Sequence, residues 1–144
     1  MALTAPKIVG FLCERGAWAF YEVSNPVRRE LPPEFMGLPV HSILQVQMRE
    51  ILKAFLSGAA GVLLAGCEHC VAPHKRPQFE REFLVQRQAL RHIGIDPRRV
   101  RLEWIAAHEK DKFIRTLHEL VLALRRLPAL RLAAETRERI EYCG

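Results

Sequence analysis

The sequence predicts an α/β fold: a single three-layer domain with a parallel four-stranded sheet, helices on both faces and an extra C-terminal helix. Three observations predict it. Short apolar runs alternate with stretches of helical periodicity, the pattern of βαβ units joined by right-handed crossovers. One run, Val62-Leu63-Leu64-Ala65 between Gly61 and Gly66, has no polar side and is too short for a helix. It reads as a central strand buried on both faces. Hydrophobic residues make up 49% of the 144 and charged ones 26%, enough for a core that needs no disulfide support.

In chain order, Lys7 to Leu12 is the first expected strand, apolar and β-rich after Pro6, and it runs into Cys13. Glu14 to Gly16 form a turn. Ala17 to Arg29 are expected to be partly helical, interrupted at Pro26 and ended by Leu31-Pro32-Pro33. Leu38 to Leu44 reads as a second strand with Pro39 near its start. Met48, Ile51, Leu52 and Phe55 mark a helix from about Gln47 to Ser57, closed by Gly58. After the Val62–Ala65 strand, Pro77 suits the first turn of another helix. Phe79, Phe83, Leu84 and Leu90 are its expected buried face, and Gly94 its end. Val100 to Ile105 alternates apolar with polar residues, as an edge strand does. Phe113, Leu117, Leu120, Val121 and Leu124 form one stripe on a helix from about Glu109 to Leu127, stopped by Pro128. A tail helix is expected over 129–142. One domain over 1–144, with its core at about 7–127, accommodates all of this.

Charge and composition narrow the function classes. The formal net charge is +6, but the arginines are spread over several helices beside glutamates, without an aromatic-interleaved basic run. Nucleic acid is therefore disfavoured, and a basic face for an acidic protein partner explains the charge as well. No apolar run approaches the length of a transmembrane span, and Met1 to Lys7 lacks the features of a secretory signal. The expected location is the cytoplasm. Nothing matches a P-loop, a nucleophile elbow or a dinucleotide-binding glycine fingerprint.

Four cysteines, at 13, 67, 70 and 143, carry the chemistry. In a reducing compartment such residues bind metal, do redox chemistry or simply pack. Cys13 and the Cys67-Glu68-His69-Cys70 segment each follow an expected strand end, the edge at which parallel sheets place their ligands. Three thiolates meeting there would suit an iron–sulfur cluster or zinc. The plainer alternative makes Cys13 a small buried hydrophobe and the C-x-x-C spacing incidental. His69 and His74, flanking the pair, and Ser42, whose hydroxyl faces the same edge from the end of the second expected strand, are candidate further ligands. A solvated loop role for the histidines and a turn role for Ser42 are the alternatives. Cys143 is a tail thiol that reaches the site only if the tail returns. His108-Glu109 could pass for an acid/base pair, yet it also reads as the entry to a helix, where Glu109 favours the dipole. A thiol–disulfide exchange role for Cys67 and Cys70 fits poorly, because the next helix starts only near Pro77.

Three blocks of sequence carry a family resemblance beyond these readings. They are Lys7-Ile8-Val9-Gly10-Phe11-Leu12-Cys13, then Ile51 through Cys67, and then Gly94-Ile95-Asp96-Pro97 through His108-Glu109 and on to Phe113. Together they resemble the delta (iron–sulfur) subunit family of the methyl-viologen-reducing hydrogenase, associated with heterodisulfide reductase, over roughly residues 7 to 127. The resemblance implies a flavodoxin- or Rossmann-like fold and a two-iron two-sulfur (2Fe-2S) cluster held by cysteines. It implies electron transfer between a hydrogenase or formate dehydrogenase module and a heterodisulfide-reductase-like flavoprotein, by one member of an oxidoreductase complex that has no catalytic site of its own. Cys13, Cys67 and Cys70 are the matched metal ligands.

The chain departs from that family at its thiols. After the first strand it has Cys13-Glu14-Arg15-Gly16 in place of C-x-x-C. Ser42-Ile43-Leu44-Gln45 stands where the family has C-S-G-R, and the later cysteine segment is shortened to Cys67-Glu68-His69-Cys70. Three outcomes follow. A cluster persists with a fourth ligand from Ser42, His69, His74 or Cys143; the site takes zinc on three cysteines and a histidine; or the site is empty and the chain is a structural adaptor.

Overall fold

The computed structural model describes residues 6–23, 25–132 and 134–143. Its elements are β1 (Ile8–Cys13), α1 (Ala17–Val23), α2 (Asn25–Glu30), β2 (Phe35–Val40), α3 (Met48–Leu56), β3 (Gly61–Gly66), α4 (Arg76–Ala89), β4 (Val100–Trp104), α5 (Lys110–Arg125) and α6 (Ala134–Cys143). The four strands form one parallel sheet in the order β2-β1-β3-β4. All six residues of β3 are buried, as an apolar run with no polar side requires.

The order β2-β1-β3-β4 contains a reversal. From β1 the chain steps to β2 on one side, then crosses back to β3 on the other. Connections leave in opposite directions at that point and open a crevice beyond the carboxyl ends of β1 and β3. The register pairs Leu12 with Ala65, so Cys13 and Cys67 emerge from neighbouring strands at nearly the same height.

Side-chain alternation sends the two halves of each strand to different layers. Ile8, Leu12, Leu63 and Ala65 pack with the buried stripe of α5, Phe113, Leu117, Leu120, Val121 and Leu124, and with Phe20, Val27 and Leu31. Phe11, Val62, Leu64 and Val100 pack with Ile51 and Phe55 of α3, Phe83 of α4, and Leu90. Tyr21, Phe35 and Phe113 meet edge to face, and the Tyr21 hydroxyl accepts a hydrogen bond from the Gly37 amide at 3.2 Å.

Several boundaries differ from those expected. The second strand is Phe35–Val40 rather than Leu38 to Leu44. The chain leaves the sheet after Val40 because Ser42 caps a 3₁₀ turn, Ile43–Gln45, accepting from the Leu44 amide, with Gln45 completing a capping box. Ile43 then turns inward and is fully buried. Leu84, expected on the buried face of α4, is 47% exposed, since that helix touches the sheet mainly through Phe83. The tail helix begins at Ala134 rather than 129 and packs on α3.

Gly58 (φ +105°) and Gly94 (φ +84°) adopt left-handed backbone where the helical segments before them end. Arg99, only 4% exposed, donates to the carbonyls of Ala60 at 3.0 Å and of Pro128, tying the start of β3 to the chain beyond α5. No helix among the described residues is long and apolar enough to cross a membrane.

Candidate metal centre

Cys13, Cys67 and Cys70 converge at the crevice between β1 and β3, with their sulfurs all within 4.8 Å of one another. Cys13 is the last residue of β1 and Cys67 follows the last glycine of β3; both are buried. Cys70 lies three residues on, half-buried, because the turn folds it back over its own start. Its sulfur accepts from the Cys67 amide at 3.4 Å and lies 3.4 Å from the Cys67 carbonyl and from the Cys13 sulfur.

The pair Cys13 and Cys70 shares a proton unequally. The Cys13 thiol, donating toward the Cys70 sulfur, pulls the Cys70 pKa down from 9.0 to about 5, with backbone donors at Cys67 and Ile43 acting the same way. Cys13 is pushed far up by that same hydrogen bond, by burial and by the charges of its neighbours.

The sulfurs rest on Ile43 and Val71, with Val40, Phe79, Leu102 and Trp104 behind them. Trp104 is fixed from three sides: its ring nitrogen donates to Glu80 at 2.7 Å, Phe79 meets it edge-on, and the Arg76 guanidinium sits 4.6 Å over it. Two glycines let the chain come this close. A Cβ at Gly16 would stand 2.7 Å from the Ile105 carbonyl oxygen and 2.9 Å from Cys67 Cβ; one at Gly66 would stand 2.6 Å from Ile43 and 2.7 Å from Trp104. In the sequence Gly16 reads only as a turn residue. Its role comes from the bridge it makes with Ala106, a contact distant in sequence.

On the open side lies a cavity of about 240 Å³, lined by Arg15, His41, Ser42, Cys67, His69 and Cys70. Two of the expected extra ligands, Ser42 and His69, therefore reach the site, although Ser42 does so from a capped turn and not from a strand end. His74 sits exposed on the 3₁₀ turn Pro73–Lys75, away from that lining. The side chain of Cys143 lies outside the described residues. His41, which no sequence motif marks, faces the site because the Glu14 amide donates to the Val40 carbonyl at 2.9 Å, bringing the ends of β1 and β2 together. His108 and Glu109 stand at the entry to α5 and not on the cavity wall; Glu109 accepts from the Ala106 amide at 3.0 Å.

Three soft donors so placed could hold a metal ion. Tetrahedral thiolate coordination at about 2.3 Å sets neighbouring sulfurs roughly 3.8 Å apart, so only small adjustments are needed here. Cys67 and Cys70 line the cavity, which leaves room there for a further ligand.

The family model described as methyl-viologen-reducing hydrogenase, delta subunit, matches residues 8–128. The chain belongs to this family. The F420-non-reducing hydrogenase iron-sulfur subunit of Archaeoglobus profundus is 30% identical over 124 residues, covering 85% of this chain and 90% of the relative. The vhc iron-sulfur subunit of the F420-non-reducing hydrogenase of Methanococcus voltae is 33% identical over 110 residues, covering 75% and 76%. A third relative belongs to the ferredoxin/F(420)H(2)-dependent CoB-CoM heterodisulfide reductase of Methanosarcina acetivorans and is 31% identical over 121 residues, 83% of this chain. This chain spans only 15% of that much longer relative. The family thus occurs both as small subunits and within a larger polypeptide.

Proposed function

We propose that this chain is a small electron-transfer subunit of a cytoplasmic redox complex. It relays electrons between a hydrogenase or formate dehydrogenase module and a heterodisulfide-reductase-like flavoprotein. The observation that carries this reading is the meeting of Cys13, Cys67 and Cys70 at the topological reversal of the sheet. Membership of a family with hydrogenase iron–sulfur subunits and a heterodisulfide reductase supports the partners.

The bound group is a 2Fe-2S cluster, which supplies one-electron chemistry. The donor set matches it in chemistry, three soft thiols beside a cavity open to one more ligand; the sulfurs, all within 4.8 Å of one another, would have to spread to hold two irons. Cys13 and Cys67 would hold its buried side, against Ile43, Val71 and Trp104. Half-buried Cys70 and the open cavity bring the centre to the surface, where a partner's cofactor can approach.

An iron and acid-labile sulfide assay on anaerobically purified protein tests the proposal. The expected result is iron and sulfide together, with a visible band bleached by reductant and lost in Cys67→Ser. A colourless protein lacking both, and binding its partners regardless of the three cysteines, would replace it with a second reading. That reading is a cluster-free structural adaptor or, as a separate outcome, a site that takes zinc. Zinc is favoured by one observation: the three sulfurs are spaced as ligands of a single tetrahedral ion.

A further inference from the structure

We propose that His41 supplies the fourth ligand of the metal centre, with Glu14 as its orienting carboxylate. This rests on the reading of the three cysteines as metal-binding.

Each other candidate on the cavity wall is engaged or misdirected. The Ser42 hydroxyl accepts from the Leu44 amide at 3.1 Å as part of a capping box, and an uncharged hydroxyl is a poor partner for the soft ions that thiolates select. His69 occupies the tip of the Cys67–Cys70 turn, and its outer nitrogen, Nε2, faces Glu68 at 3.7 Å. The nitrogen left over is Nδ1, close to its own main chain and short in reach.

His41 is arranged the other way round. Its Nδ1 faces the Glu14 carboxylate at 3.7 Å, which leaves the far-reaching Nε2 for a metal. A carboxylate beside one ring nitrogen and a metal on the other is a common setting of a ligating histidine, in which the carboxylate orients the ring. The Glu14–Val40 backbone bond holds both residues beside Cys13. The His41 side chain is 75% exposed and lines the same cavity as Cys67 and Cys70, so it would ligate by turning into that cavity. Three cysteines and a histidine then complete a four-ligand set.

The test uses the full chain, metal-free and reduced, titrated with Co²⁺ and followed by absorption and pulsed EPR. Wild type is expected to bind one Co²⁺ with thiolate charge-transfer bands, tetrahedral d–d bands and one nitrogen coupling. His41→Ala loses the nitrogen coupling and weakens binding at least tenfold. Glu14→Gln keeps the coupling but weakens binding about tenfold. His69→Ala behaves as wild type, and His41→Cys restores tight binding without nitrogen. Retention of the coupling in His41→Ala, or its loss in His69→Ala, overturns the assignment of His41. Failure of wild type to take up Co²⁺, together with no iron or sulfide in the protein as isolated, overturns the metal centre itself, a separate outcome.

Discussion

At the N-terminal edge of the sheet most polar groups are paired across elements, with Arg99 Nε the exception, buried without a partner among the described residues. The Lys7 carbonyl accepts from the amides of Ala60 and Gly61, and Arg99 donates to the carbonyls of Ala60 and Pro128. At the C-terminal edge three sulfurs crowd together, bonded among the described residues to each other and to a few backbone groups. The larger cavity lies at the first edge, about 470 Å³ lined by Arg99, Leu124 and Pro128 among others; the sulfurs open onto one of about 240 Å³. Volume is therefore a poor guide to the site here. Convergence of donors whose chemistry is unspent marks it instead. The same strands serve both edges, so structural and functional demands separate along their length.

That separation can be broken at either edge. The largest effect is expected from Cys67→Ser, which removes a buried thiol: metal content and any visible band should vanish while the far-ultraviolet circular dichroism stays unchanged. Metal analysis beside the spectrum checks this. Arg99→Met keeps the aliphatic stem but leaves two carbonyls without their charged donor, and should lower stability by about 2–3 kcal/mol in urea unfolding. Metal content should not change; if it falls, the edges are coupled and the division drawn above is wrong.

Gly16→Ala places a methyl against the Ile105 carbonyl and Cys67 Cβ, both under 3.0 Å away. Backbone must yield, so a loss of about 1–3 kcal/mol is expected. Unlike Arg99→Met, this variant should also release its metal faster to a chelator, because Cys67 has to shift.

The smallest effect concerns the metal-free, reduced protein. Cys70 has a folded pKa near 5, below its unfolded value near 9.0. Between those limits the unfolded chain binds the extra proton, so stability rises with pH; the contribution is complete above about 9 and lost as pH falls through about 5. Cys13 is shifted the other way and opposes folding only above the ordinary thiol range. Iodoacetamide at pH 6 to 7 should accordingly label Cys70 first, as read by peptide mass mapping, and Cys70→Ser should flatten the pH dependence of unfolding.

The local pattern of the chain determined a good deal. A four-residue apolar run between glycines is too short for a helix and reads as a covered strand, and a stripe such as Phe113, Leu117, Leu120 and Leu124 reads as a helix laid on a core, so β3, α5 and the layered architecture were legible. Cys13, Cys67 and Cys70 were legible too, as thiols following strand ends. Where β2 stops was not, because the apolar residues run on from Leu38 to Leu44; Ser42 ends the strand through a hydrogen bond that hydrophobicity does not register. The closeness of the three sulfurs, the need for glycine at 16 and the turning of His41 toward the cavity were decided only in three dimensions. Each depends on strand order and register, which bring together residues far apart along the chain, and no local sequence pattern encodes those distances.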